Sequence, residues 1–305
     1  MQPDFEGDNW AVYNVDCVEA LAGMPEGLID CAIFSPPFSD LFVYSDSERD
    51  MGNCGSHAEF MDHYGFFARN LYRAMKPGRM TCVHCTDLPS RKGRDGFIGL
   101  HDFSGDLIKA HQDAGFVYHA RAVIWKDPVV EMQRTKALGL MHKQLCKDST
   151  RSRAGIPQYL LAFRKDGENL EPVAHIDGLT EFAGENPPTH GTLSHERWRR
   201  YASPVWMDIN FSNTLNAKAA RDNEDERHVC PMALDLIERA IQLWSNPGDV
   251  VFDPFSGVGS TGYQAIRMGR KFAGSELKKS YFDQAAKNIG SAKANQGALF
   301  ECEAA

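Results

Sequence analysis

An α/β fold on a doubly wound, mostly parallel sheet is predicted by three features of this 305-residue chain. Short apolar runs alternate with segments whose apolar residues recur at helical spacing, which is the pattern of strand–helix–strand units. A Gly-rich turn, Ser256-Gly257-Val258-Gly259, stands between one such run and one such segment. The next apolar run ends at Glu276, about 20 positions further on, where a strand-end acid can accept bonds from both hydroxyls of a ribose.

The elements follow in order. Asp30 to Phe34 is an apolar run stopped by Ser35-Pro36-Pro37, so a strand ends at a rigid turn. After a loop over 39–56, His57 to Met75 places Phe60, Tyr64, Phe67, Leu71 and Met75 on one helical face. Lys76-Pro77-Gly78 ends that helix. Met80 to His84 reads as a second strand, and Asp102 to Ala114 as a helix closed by Gly115. Phe116 to Trp125 and Pro157 to Phe163 are further strands. Residues 166–226 change character, rich in Gly, Pro, Asn, His and charge, with isolated aromatics at Trp198, Tyr201 and Trp206 that predict a small lobe presenting loops. Regular structure resumes with an amphipathic helix over Pro231 to Trp244, a buried strand over Asp249 to Asp253 and a helix from Ser260 to Met268. A strand over Lys271 to Ser275 and a helix through Tyr281 to Ile289 complete the order. The chain therefore divides into halves at 1–165 and 227–305 around the inserted span 166–226.

Composition narrows the class. A hydrophobic share of 43% supports a sizeable core. No apolar run approaches the roughly 20 residues that cross a membrane, and the acidic N-terminus lacks a signal-peptide pattern, so a soluble, cytoplasmic protein is expected. The eight cysteines are scattered and read as reduced thiols; only Cys82 and Cys85 have metal-like spacing, without a second pair. The histidines show no ligand pair with a third ligand, and no metal is expected. A net charge of −8 argues against a nucleic-acid partner, but its distribution does not. Residues 126–165 hold nine Lys or Arg against three acids, a local +6, leaving 24 basic against 38 acidic residues elsewhere, or −14. Local charge decides where a phosphate backbone can dock.

Two motifs carry chemistry. Asp253-Pro254-Phe255-Ser256-Gly257-Val258-Gly259-Ser260-Thr261 joins a strand to a helix, where glycines let the backbone approach a ligand at the helix N-terminus. Its spacing is not that of a dinucleotide loop, because Gly262 falls inside the helix. Ser35-Pro36-Pro37-Phe38 follows a strand at the end where open α/β sheets bind ligands. An amino group on an aromatic ring has its lone pair delocalised. Acceptors for its hydrogens, such as a serine oxygen and a backbone carbonyl, favour the tetrahedral nitrogen of a transition state. Two prolines preorganise those acceptors, and Phe38 offers a face for an extruded base.

Read jointly, the motifs resemble those of the N6-adenine/N4-cytosine DNA methyltransferases, with the catalytic tetrapeptide before the cofactor loop as in the β group of that family. The resemblance covers roughly residues 9–165 and 227–290. It implies a seven-stranded Rossmann-like methyltransferase sheet with a small inserted recognition lobe at 166–226. It also implies S-adenosyl-L-methionine as methyl donor, double-stranded DNA as substrate, and a homodimer. Ser35, Pro36, Pro37 and Phe38 would be catalytic. Asp253, Pro254, Phe255, Gly257, Gly259, Ser260, Thr261 and Glu276 would bind the cofactor. Asp16 would lie near its adenine, while His228 and Pro231 belong to the segment that closes over its methionine part. Ser at the head of the tetrapeptide leans towards N4 of cytosine over N6 of adenine. Two positions depart from the family pattern, Phe34 before the tetrapeptide and Ser275 before the strand-end acid. The loop over 39–56, with Tyr44, Asp46, Arg49 and Asp50, is expected to close over the base. A nicotinamide- or flavin-binding oxidoreductase would give Ser35–Phe38 no role, and a non-catalytic DNA-binding module would leave both motifs unexplained. An RNA amino-methyltransferase is the other substrate reading, since base extrusion does not itself distinguish sugars.

Overall fold

The computed structural model describes residues 2–39, 47, 49–90, 92–176, 178–179, 191–217, 220 and 231–301. The strands are β1 (Phe5–Gly7), β2 (Trp10–Tyr13), β3 (Ile29–Phe34), β4 (Met75–Thr86), β5 (Leu88–Ser90), β6 (Gly99–His101), β7 (Val117–Ile124), β8 (Gln158–Arg164), β9 (Val205–Trp206), β10 (Val250–Asp253) and β11 (Lys271–Ser275). The helices are α1 (Cys17–Ala22), α2 (His57–Ala74), α3 (Lys92–Asp95), α4 (Phe103–Asp113), α5 (Pro128–Thr135), α6 (His142–Lys147), α7 (Gly191–Tyr201), α8 (Leu234–Trp244), α9 (Ser260–Arg267) and α10 (Lys279–Glu301).

Among the described residues nine strands form one sheet, in the order β1-β2-β11-β10-β3-β4-β8-β7-β9. Six of the seven central strands are those expected; β2 was not, and the short β1 and β9 extend the two edges. Strands β2, β11, β10, β3 and β4 are parallel neighbours, whereas β8 runs antiparallel to both β4 and β7. All six residues of β3, at the centre, are buried, which is why its sequence is apolar apart from Asp30, which is paired with Arg79.

Apolar clusters fill both faces. One joins α8, α9 and α10 to the sheet, and the other joins α1, α2 and α4 to it. Helix α2 buries Phe60, Tyr64, Phe67 and Leu71, and Ser56 caps it by accepting from the Glu59 amide at 3.2 Å. Cys82 lies in the first cluster and Cys85 in the second. Side chains three apart on a strand point to opposite faces, so this pair cannot share a metal.

The middle region does not stand apart where it is described. Strand β9 pairs parallel with β7, Val205 opposite Val123 and Trp206 opposite Ile124. Tyr201 donates its hydroxyl to Gln242 Oε1 of α8 at 2.9 Å, and Trp206 Nε1 donates to the Tyr201 carbonyl at 3.1 Å. Both rings are buried under the Arg239 guanidinium, 4.5 and 4.7 Å away. These aromatics cover the open side of the sheet, and only Trp198 faces solvent.

The basic segment also divides. Lys165 is buried, donating to the Met75 carbonyl at 2.8 Å, and Arg164 donates to the Gly167 carbonyl, both at the amino ends of the parallel strands. Residues 125–157 instead leave the carboxyl end of β7 and return into β8, whose first residue pairs with Thr86 at the carboxyl end of β4. That excursion keeps seven of the nine cations against the same three acids, a net +4. It rises from the end of the sheet where the Ser35 turn lies.

Candidate active site

Three strand ends converge at the carboxyl edge of the sheet. Strand β3 delivers Ser35–Phe38, β10 delivers Asp253, and β11 delivers Glu276. They line one cavity of about 180 Å³, with Asp16 and Cys17 at the start of α1, Arg49 to Met51, and Pro231 and Met232.

The loop after β10 is held from below. Asp253, 3% exposed, accepts from the Phe255 amide at 2.9 Å, and Ser256 Oγ donates to the Asp253 carbonyl at 3.0 Å. Ser275 is fully buried, and its hydroxyl donates to the Pro254 carbonyl at 2.9 Å, so the departure at this position tethers the loop to β11. Gly257 has φ of +52°, and its amide donates to Glu276 Oε2 at 2.8 Å, while Glu276 Oε1 accepts from the Lys278 amide at 2.9 Å. The Thr261 hydroxyl donates to the Ile33 carbonyl at 3.3 Å, joining α9 to the strand that carries the tetrapeptide. Phe34, the other departure, is a core residue under both motifs: its ring centroid lies 5.5 Å from Phe67 and 5.8 Å from Phe255.

The cavity is acidic. Burial pushes the Asp253 carboxyl up to about 7, against the lowering effect of Thr261 and the Phe255 amide. Burial likewise pushes Glu276 up to about 7, and the Asp253 and Asp50 charges add to the rise. Ser260 Oγ is buried without a hydrogen-bond partner. Two buried carboxyls raised to about 7, and a buried hydroxyl without a partner, suit a ligand bearing positive charge and hydroxyl groups.

Of the expected site residues, Ser35, Pro36, Pro37, Phe38, Asp16, Pro231, Asp253, Pro254, Phe255, Gly257, Ser260, Thr261 and Glu276 all line this cavity. Gly259 does not. Its φ of +85° turns the chain into α9, and a Cβ there would lie 3.0 Å from the Ala285 Cα of α10, so it is a packing glycine. His228 lies outside the described residues, as do Tyr44 and Asp46 of the 39–56 loop. The expected helix from Pro231 begins only at Leu234, which leaves Pro231 and Met232 extended to form a wall. Asp16 caps α1, accepting from the Val18 and Glu19 amides at 2.9 and 3.0 Å, and Arg49 reaches across the cavity mouth to it at 3.3 Å. Lys278 and Tyr281 at the start of α10 also line the cavity. They carry no motif, and only the observed turn after Glu276 brings them in.

Comparison with known proteins places this arrangement. The sequence profile of the DNA methylase family matches residues 29–287. The orphan methyltransferase M.BamHII of Bacillus amyloliquefaciens is 39% identical over 259 residues, 84% of this chain and 86% of that one. The type II methyltransferase M.BglII of Bacillus subtilis is 22% identical over 275 residues, 89% of this chain, and the match spans 66% of the relative's length. The PvuII cytosine-N4-specific DNA methyltransferase shares the fold, with a TM-score of 0.63 at 18% identity over 96% of this chain and 94% of that one. The chain belongs to the DNA methylase family, the N6-adenine and N4-cytosine amino-methyltransferases.

Proposed function

We propose that this chain transfers the methyl group of S-adenosyl-L-methionine to an exocyclic amino nitrogen of a base flipped out of double-stranded DNA. The observation that carries the reading is the meeting of the Ser35–Phe38 turn and the Asp253–Glu276 nucleotide loop in one cavity. The family is S-adenosyl-L-methionine-dependent, and the acidic, under-satisfied lining fits that molecule. When bound, it supplies an electrophilic methyl group on a sulfonium.

The chain's own residues do the rest. Glu276 would accept hydrogen bonds from the ribose hydroxyls, Asp16 would hold the adenine end, and Asp253 the cationic methionine end. Ser35 Oγ and the Pro36 carbonyl accept the two amino hydrogens, which draws the nitrogen lone pair out of the ring. Phe38 stacks on the base. Bound there, the sulfonium would supply its methyl directly to the nitrogen, the carbon–sulfur bond breaking as the nitrogen–carbon bond forms, and the nitrogen would then yield a proton to solvent. Ser35 inclines the choice towards N4 of cytosine over N6 of adenine. The excursion over 125–157 supplies the phosphate-facing charge, and the span 166–226 contributes target recognition. A homodimer in the cytoplasm completes the proposal. No helix among the described residues is long and apolar enough to cross a membrane.

The test is transfer of radiolabelled methyl from S-adenosyl-L-methionine to plasmid DNA. Label should enter DNA with the natural chain and not with Ser35→Ala; equal labelling by both would refute the catalytic assignment.

A further inference from the structure

Immediately after the tetrapeptide stands a hydrogen-bonded chain that the mechanism above does not use. Ser39 follows Phe38 directly and is one of two described non-glycine residues with positive φ, at +53°. A non-glycine residue in this region costs on the order of 1 kcal/mol and persists only where its surroundings hold it. Here the holding group is visible. Ser39 Oγ lies 2.9 Å from His57 Nδ1, and His57 Nε2 lies 2.8 Å from Asp106 Oδ2. A carboxylate can only accept, so Nε2 carries a proton, and in the neutral imidazole Nδ1 accepts from the Ser39 hydroxyl.

The three residues come from three elements. His57 opens α2, Asp106 lies in the first turn of α4, and Ser39 ends the catalytic turn. Aromatic packing follows the same path: the Phe103 ring is 6.2 Å from His57 and 6.5 Å from Phe38. Although a Ser–His–Asp order suggests a hydrolytic nucleophile, Ser39 is fully buried, and its hydroxyl has no access to a substrate.

We propose that His57, anchored by Asp106, is a positioning residue that clamps Ser39 and so fixes the Pro36 carbonyl and the Phe38 ring in their working orientation. The assignment rests on the methyltransferase reading of the same turn. A clamp of this kind matters where acceptors must hold a developing tetrahedral nitrogen, because small displacements of preorganised groups cost rate before they cost binding. The cofactor carboxylates lie on other strands and are not part of it.

Steady-state methylation of plasmid DNA by the full chain tests the assignment. His57→Ala should lower kcat at least tenfold while KM for S-adenosyl-L-methionine stays within about twofold. His57→Asn, whose amide can still reach Ser39 Oγ, should recover most of the loss, and Ser39→Ala combined with His57→Ala should be no worse than the worse single variant. Unchanged kcat, a loss confined to the KM for S-adenosyl-L-methionine, an Asn variant as slow as Ala, or additive single effects would each overturn the clamp. Should His57→Ala fail to fold, Asp106→Ala at a half-exposed site, which removes the acceptor for His57 Nε2, supplies the same readout, a severalfold fall in kcat supporting the clamp and an unchanged kcat overturning it. Absence of methylation by the natural chain would sink the underlying reading and the clamp with it. An active natural chain matched by an equally active His57→Ala would sink the clamp alone.

Discussion

Lowering the pH from about 8 to about 6 should weaken S-adenosyl-L-methionine binding between ten- and a hundredfold. In the ligand-free cavity Asp253 and Glu276 are each raised to about 7, chiefly by burial. A ligand with a cationic methionine end and ribose hydroxyls binds the ionised carboxylates, so each group must shed a proton before binding. For a group titrating near 7, that requirement costs a factor of about 1.1 at pH 8 and about 11 at pH 6, or roughly 1.4 kcal/mol across the window. The two groups interact and titrate as a pair, which sets the range between one such factor and two. The same shift has the opposite sign for the ligand-free fold. A carboxyl whose folded pKa is raised favours folding only while protonated, so its ionisation removes stability as pH rises from about 4 to about 7. Ligand binding should therefore raise the melting temperature more at pH 8 than at pH 6. Calorimetric titration at several pH values, in buffers of different ionisation enthalpy, measures both affinity and proton release. Asp253→Asn should weaken binding at pH 8 and flatten the slope. A dissociation constant that is constant across the window, or tighter at pH 6, would refute the assignment of these two carboxyls to the ligand.

Other expectations follow from the same geometry. Ser35→Ala should lower kcat by about 10²–10³, or about 2.7–4 kcal/mol, as for the loss of one preorganised group at a reacting centre. Its KM for S-adenosyl-L-methionine should change little in the same steady-state assay. Arg79 is 1% exposed and bonded to both Asp30 and Asp249 at the amino ends of β3, β4 and β10. Arg79→Met would leave buried Asp249 without its ion-pair partner and Asp30 with Lys76 alone, and should cost about 3–5 kcal/mol in denaturant unfolding; a loss under about 1 kcal/mol would contradict the network's role. Lys143 and Lys147 are exposed on α6 in the basic excursion. Replacing both with Ala should weaken DNA binding uniformly across sequences. The salt slope should fall by about 1 for each phosphate that these lysines neutralise, read by fluorescence anisotropy against salt.

The parts of the fold that were legible in the sequence share one property: their side-chain pattern is set by burial on a regular element. Strand β3 and helices α2, α8 and α9 fall within a few residues of expectation, because a central strand is buried on both faces and each helix has one apolar face. What escaped reading was short or decided by pairing. Strands β1 and β2 have three and four residues and α1 six, too few to show a period. Lys76-Pro77-Gly78 reads as a turn, yet β4 begins at Met75 and runs through it. The Gly78 amide donates to the Lys165 carbonyl at 2.9 Å, and its φ of +75° absorbs the irregularity. Tyr201 and Trp206 look like lobe residues only until β9 is seen to pair with β7. In the site, the motif residues were legible because they sit at βα junctions that chemistry constrains. Arg49, Lys278 and Tyr281 were not assigned to the cofactor pocket, because their places depend on loop paths no local pattern encodes. The two departures from the family pattern, Phe34 and Ser275, acquire their reason only in three dimensions, as the floor under both motifs and the tether of the loop.

The central claim is methyl transfer to a base amino nitrogen, and identification of the product base tests it most directly. Plasmid DNA incubated with the chain and S-adenosyl-L-methionine, then digested to nucleosides and examined by mass spectrometry, should contain N4-methylcytosine or N6-methyladenine that is absent when Ser35→Ala is used. DNA that carries neither base, or carries the methyl group on a ring carbon, would contradict the role assigned to the Ser35–Phe38 turn.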